Sequence, residues 1–151
     1  MSSPAPGGEH QALLACLDQQ RNHVLAILEG LPDQALRQPV LPSGWTCLGL
    51  VRHLALDVER FWFASIIAAG PVELCEGAQA WQVDDRASPG AVSDLYRQEI
   101  DHANVMIENT PLDTAPARWP DEWSGWRLAD LRAVMLHVIV ETASISMRPA
   151  S

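Results

Sequence analysis

The sequence has few cysteines, and they are not paired by spacing. Three occur in 151 residues, at Cys16, Cys47 and Cys75. An odd number without a C-x-x-C pair excludes a zinc site of that type and argues against a disulfide scaffold. We therefore expect reduced thiols in a cytoplasmic protein.

Positive charge is also scarce. Lys and Arg number 10 against 19 Asp and Glu, which gives a formal net charge of -9 and a pI near 4.8. The arginines are scattered singly from Arg21 to Arg148, so no basic stripe is available to neutralise phosphates. Nucleic acid and anionic membranes are therefore not expected as partners.

Long apolar runs are missing as well. The most apolar window, 61–69, is far shorter than the roughly 20 residues that a membrane span requires. Residues 1–9 are rich in Ser, Pro and Gly and have neither the basic start nor the apolar stretch of a signal peptide. The sequence thus predicts neither a transmembrane segment nor export.

The apolar residues that are present are typical of a helical bundle. A hydrophobic fraction of 48% is enough for one core, so we expect a single domain over 1–151, with 1–8 disordered. Apolar positions recur at three- and four-residue steps between Pro/Gly-rich connectors, whereas strand patterns are nearly absent. The fold class predicted is all-α, a four-helix bundle. The predicted helices span 9–29, 46–69, 88–109 and 128–142.

Local signals mark several helix ends. Thr46 is the expected N-cap of the second helix, and Ser88 followed by Pro89 is typical of the start of the third. Gly30 ends the first helix. Residues 33–37 are expected to form an extra turn.

The connectors 31–45, 71–87 and 111–126 are long for a bundle. Tryptophans lie in or beside all three connectors and either plug the ends of the core or wall a pocket. Both interpretations stay open. These residues are Trp45, Trp81, Trp119, Trp123 and Trp126.

The second helix carries a histidine among apolar residues. His53 has Asp57 one turn later on the same face, where a carboxylate would orient the imidazole. A hydrogen-bonded core histidine is the ordinary interpretation of such a residue. Glu59 and Arg60 are interpreted as a charge cluster on a solvated edge.

The last helix carries His137 and Glu141 at i, i+4 spacing, which places their Cβ atoms roughly 5–6 Å apart. Imidazole and carboxylate ligands in a bundle are typical of a divalent-metal site. A buried His–Glu pair without metal is the alternative. Cys47 lies in the first turn of the second helix, where the dipole would lower its pKa, unless it is an inert buried thiol.

Several short stretches follow the pattern of a known family. They are 42–46 (PSGWT), 49–54 (GLVRHL), 58–63 (VERFWF), 96–99 (YRQE) and 131–143 (LRAVMLHVIVETA). Together they resemble the DinB-like superfamily, and within it the branch known as DUF664, over about residues 10–143. The resemblance implies a DinB/YfiT-like four-helix bundle, often dimeric, with a metal held by one residue of the second helix and two of the last. Several relatives use the metal to activate a thiol such as mycothiol or bacillithiol, as transferases or, in the maleylpyruvate isomerases, with the thiol as cofactor.

The resemblance also assigns ligands. His53 matches the ligand of the second helix and Glu141 the first ligand of the last helix, but the histidine expected next is replaced by Ile145. From 144 to 151 the chain no longer resembles the family, which a frameshift, a truncation or divergence would each produce. His137, one turn before Glu141, would complete a substitute set for zinc, nickel or iron.

Two functions follow from the resemblance. The first is a metal-dependent enzyme that transfers or uses a mycothiol-like thiol on a small electrophile. The alternative, motivated by Ile145, is a non-catalytic bundle that serves as a binding or dimerisation module. A homodimer is expected in either case, through the apolar second helix.

Overall fold

The computed structural model describes residues 7–39, 45–71, 74, 79–123 and 125–146. Within these ranges the chain forms helices and no strand, apart from an isolated bridge between Pro39 and Thr46, so the all-α prediction is confirmed. None of the helices in the described ranges has the length and apolarity of a membrane span. The elements are α1 (Gly8–Gly30), α2 (Asp33–Leu36), α3 (Cys47–His53), a π-helical segment (Leu54–Ile67), a 3-10 turn (Gln79–Trp81), α4 (Pro89–Glu108) and α5 (Leu131–Ser146).

Some of the sequence predictions fall outside the described residues. These are Cys75, residues 1–6 of the predicted disordered start, residues 42–44 of the family pattern and residues 147–151 of the atypical tail. α5 continues through position 145. The structure does not describe the side chains of Ile145 and Trp81.

The helix starts follow the capping signals. The Thr46 hydroxyl accepts a hydrogen bond from the Gly49 amide at 3.0 Å, and the Ser88 hydroxyl accepts one from the Ala91 amide at 3.1 Å. Both predicted N-caps are therefore confirmed. The predicted start of the last helix is wrong by three residues, because the Asp130 carboxylate accepts from the Ala133 amide at 2.9 Å and begins α5 at Leu131.

The second predicted helix changes type after His53. From Leu54 to Ile67 the backbone is π-helical over 14 residues, whereas π-helices are usually single turns with i→i+5 bonds, often at functional sites. The segment is largely buried and packs mainly against α4, while α1 packs mainly against α5. A π-helix rotates its side chains differently from an α-helix, so a 3.6-residue period does not predict which of them face inward.

Glu59 shows that the 3.6-residue period fails on the π-helical segment. The interpretation of Glu59 and Arg60 as a solvated charge cluster is wrong, because Glu59 is 1% exposed and faces Arg21 of α1. Two hydrogen bonds of 2.7 Å run from the Arg21 guanidinium to the Glu59 carboxylate oxygens. Arg60 is half-buried and donates to Glu99 of α4 at 2.6 and 3.0 Å.

Tyr96 lies close to this ion pair and is fully buried. Within the described part of the chain its hydroxyl has no hydrogen-bond partner. Burial, followed by the negative charge of Glu59, raises the pKa of the Tyr96 phenol, so the ring remains neutral.

Removal of the Tyr96 hydroxyl should stabilise the protein. We expect Tyr96→Phe to raise the free energy of unfolding by about 1 kcal/mol, because a buried hydroxyl without a partner costs free energy. Urea unfolding measures the change. Thr142→Val is the matched control: its buried hydroxyl donates to the Val138 carbonyl at 2.8 Å, so its removal should give no gain. A destabilised Tyr96→Phe variant would contradict the prediction.

Candidate functional site

His137 and Glu141 form a close pair on α5. The Nε2 atom of His137 lies 2.6 Å from Oε1 of Glu141, as their spacing predicts. Their side chains are 30% and 36% exposed. The pair is thus partly accessible to a solute, and its nitrogen and oxygen atoms contact each other directly.

Aromatic rings surround one side of this pair. The Trp62 ring meets the His137 ring edge-on with centroids 4.8 Å apart, and the Trp126 ring lies 6.2 Å from it. Centroids of neighbouring rings in the group lie between 5.1 and 6.4 Å apart. We call this group the aromatic cluster: Phe61, Trp62, Trp119, Trp123 and Trp126.

Backbone hydrogen bonds hold the third connector in place beside the pair. The Ala117 and Arg118 amides donate to the last carbonyls of the π-helical segment, those of Ile67 and Ile66, at 3.3 and 3.1 Å. The Leu131 amide donates to the Thr114 carbonyl at 2.9 Å. Helix termini leave backbone C=O and N–H groups without intrahelical partners. The connector therefore pairs with carbonyls at the end of the π-helical segment and with an amide at the start of α5. Its tryptophans are thereby fixed between the π-helical segment and α5.

Exposure rises steadily across the cluster. Trp62 is 4% exposed, Trp119 and Trp123 are half-buried, and Trp126 is 45% exposed. The Trp123 and Trp126 rings stack at an interplanar angle of 22°, with centroids 5.5 Å apart. Trp119 and Trp123 pack against the core, as the first interpretation of the connector tryptophans predicts, whereas Trp126 is exposed. That these rings wall a pocket stays a prediction.

Trp119 carries two further features. Its Nε1 atom is buried and has no hydrogen-bond partner among the described residues. The Arg127 guanidinium carbon lies 5.7 Å from the centroid of its ring, within the range of a cation–π interaction. Among the described residues, the indole N–H of Trp119 therefore has no acceptor inside the cluster.

His53 lies in a different pair. Its Nδ1 atom is hydrogen-bonded to Oδ2 of Asp57 at 2.8 Å, and the two side chains are 20% and 24% exposed. The predicted role of Asp57 in orienting this imidazole agrees with that contact. In the ranges that the structure covers, His, Cys, Asp and Glu side chains do not form a group of three that could hold a metal ion. The structure thus brings together His137 and Glu141, and separately His53 and Asp57.

Cys47 agrees with the inert interpretation. It is the first residue of α3 and half-buried, and burial raises the pKa of its thiol rather than the helix dipole lowering it. At neutral pH the thiol form is favoured, and the thiolate is the nucleophile. We therefore assign Cys47 no chemical role.

Sequence reasoning gave no role to Phe61 and Trp62, although both occur in the matched stretch 58–63. Their adjacency, eight and nine positions after His53, was the one sequence feature that could have indicated an aromatic cluster. On a π-helical segment they face the third connector, which helical periodicity alone does not indicate.

The family comparison covers all of these residues. A family model described as Mycothiol-S-transferase matches residues 12–144. The chain belongs to this family. The predicted relation to the DinB-like superfamily is thereby confirmed. Comparison with curated proteins and with solved structures gives no match.

Proposed function

We propose that this protein is a mycothiol S-transferase that joins a low-molecular-weight thiol to a small electrophile at the His137–Glu141 pair. One observation carries the proposal. In a chain of this family, an imidazole and a carboxylate stand 2.6 Å apart, partly accessible and beside an aromatic wall. Such a site combines a base with an apolar surface on which a small molecule can lie.

The chemistry requires that the thiol lose its proton. The thiol sulfur forms a bond to an electrophilic carbon, and the leaving group departs with the electron pair of the bond that breaks. The proton passes to the His137 imidazole, and the Glu141 carboxylate balances the positive charge that results. The tryptophan rings on one side of His137 place apolar surface beside the reacting atoms.

We propose, as the alternative to catalysis by His137 as a base, that His53, His137 and Glu141 are ligands of a divalent metal ion, zinc, nickel or iron. Imidazole nitrogen and carboxylate oxygen are suitable donors for these ions. The fit to the described structure is partial. α5 offers two donors, and the bond from Nδ1 of His53 to Asp57 is the arrangement that orients an imidazole to bind metal through Nε2. In the described ranges, however, these side chains do not form a group of three. Such an ion, when bound, would stabilise the thiolate over the thiol.

The function is tested with purified protein, mycothiol and a small alkyl or aryl halide. We expect a mycothiol conjugate, detected by mass spectrometry, to form faster than without protein, and faster than with glutathione in place of mycothiol. A rate with mycothiol equal to the rate without protein would contradict the proposal.

A second candidate is the non-catalytic dimerisation module. Leu136 and Val140 lie one turn apart on α5 and are 49% and 63% exposed, so they offer an apolar stripe to a second copy. The second helix, expected to mediate self-association, instead buries ten of the fourteen residues of its π-helical segment. A dimer that Val140→Glu splits, in a protein that transfers no thiol, would favour this alternative.

A further inference from the structure

We infer that the electrophilic substrate is a planar aromatic compound that stacks on Trp126. The inference rests on the proposed thiol transfer, because it names the second substrate of that reaction. Two observations about the aromatic cluster support it.

The first observation is the accessible indole of Trp126. The ring is 45% exposed although it belongs to a cluster whose inner member Trp62 is 4% exposed. Stacking on Trp123 at 22° holds the ring in a fixed orientation. Its accessible surface is therefore flat, apolar and preorganised, and a planar aromatic molecule is the ligand that matches such a surface best.

The second observation is position. The Trp126 ring lies 6.2 Å from the His137 ring, and His137 in turn contacts Glu141. A compound stacked on Trp126 would therefore lie beside the pair that accepts the thiol proton. Proximity of this kind is what a two-substrate reaction requires.

Binding is tested without thiol by comparing nitrobenzene with nitrocyclohexane, which carries the same nitro group on a non-planar ring. The six tryptophans give indole N–H signals in a nitrogen-15 NMR spectrum, each assigned from a single Trp→Phe variant. We expect nitrobenzene to shift the signals of Trp119 and Trp126 but not that of Trp45, and nitrocyclohexane to bind at least about tenfold more weakly.

Variants locate the stacking surface. Trp126→Ala should weaken nitrobenzene binding about tenfold, and Trp126→Phe, which keeps an aromatic ring, should restore most of the affinity. Trp45→Ala is the control and should bind like the unaltered protein. Equal affinity for the two nitro compounds, or unaltered affinity in Trp126→Ala, would overturn the inference.

Transfer rates separate this inference from the proposed function. The rate of mycothiol conjugation is measured with a nitro-substituted aryl halide and with an alkyl halide of matched intrinsic reactivity. With either substrate a sulfur–carbon bond forms and halide leaves with its electron pair. The thiol proton passes to His137. A faster rate with the aryl halide supports the inference. Equal rates overturn it and leave the thiol transfer intact. No transfer to either halide, with nitrobenzene still bound, overturns both the function and the substrate role.

Discussion

Glu59→Ala is expected to lower the free energy of unfolding by about 3 to 5 kcal/mol. The carboxylate accepts two hydrogen bonds of 2.7 Å from Arg21, and both side chains are 1% exposed. Without Glu59, the guanidinium would remain buried. Its partners among the described residues would then be Asp18 and Asn104, which accept from Nη1 at 2.9 and 2.6 Å. A buried charge that loses its main partner is costly, because water cannot replace that partner.

Two control variants make this result specific. Glu29→Ala removes a carboxylate that pairs with Arg97 at the surface, where the side chains are 62% and 46% exposed, so the expected change is below about 1 kcal/mol. The double variant Arg21→Met, Glu59→Leu removes both charges and should recover much of the lost stability. Urea unfolding measures all three. A Glu59→Ala variant that loses no more than Glu29→Ala would show that the pair is not important for stability.

The sequence predicted the fold where local chemistry decides it. Thr46 and Ser88 cap their helices as expected, and Gly30 is the last residue of α1. The spacing of His137 and Glu141 also predicted their contact, since residues four apart on a helix are neighbours. These features depend on a few residues that are close along the chain.

The features that sequence reasoning missed depend on contacts between distant segments. Arg21 and Glu59 are 38 positions apart, and their pairing follows from the way α1 meets the π-helical segment. The third connector joins Trp119 and Trp126 to Trp62 through backbone bonds that have no sequence signature. The π-helical backbone itself contradicts the period on which the face assignments were based.

The second large effect concerns Glu141. We expect Glu141→Gln, which removes the charge but keeps the shape, to lower kcat/KM for thiol transfer by at least about 100-fold. The reason is that the carboxylate, 2.6 Å from His137, balances the charge of the protonated imidazole. Under the proposed metal role, zinc retained after dialysis should also fall in Glu141→Gln and in His53→Ala, as elemental analysis would show.

Glu108→Gln provides the matched control, because Glu108 is an exposed carboxylate at the end of α4. It should transfer thiol like the unaltered protein. The change in net charge is the same as in Glu141→Gln. A difference between the two variants therefore reports on the position of the carboxylate rather than on the overall field of the protein.

The most direct test of the account is the initial rate of mycothiol conjugation by the unaltered protein, Glu141→Gln and Glu108→Gln, measured side by side on folded samples. A rate that falls about 100-fold in Glu141→Gln alone would place the thiol transfer at the His137–Glu141 pair. Equal rates in all three proteins would contradict the account and move the chemistry away from this pair.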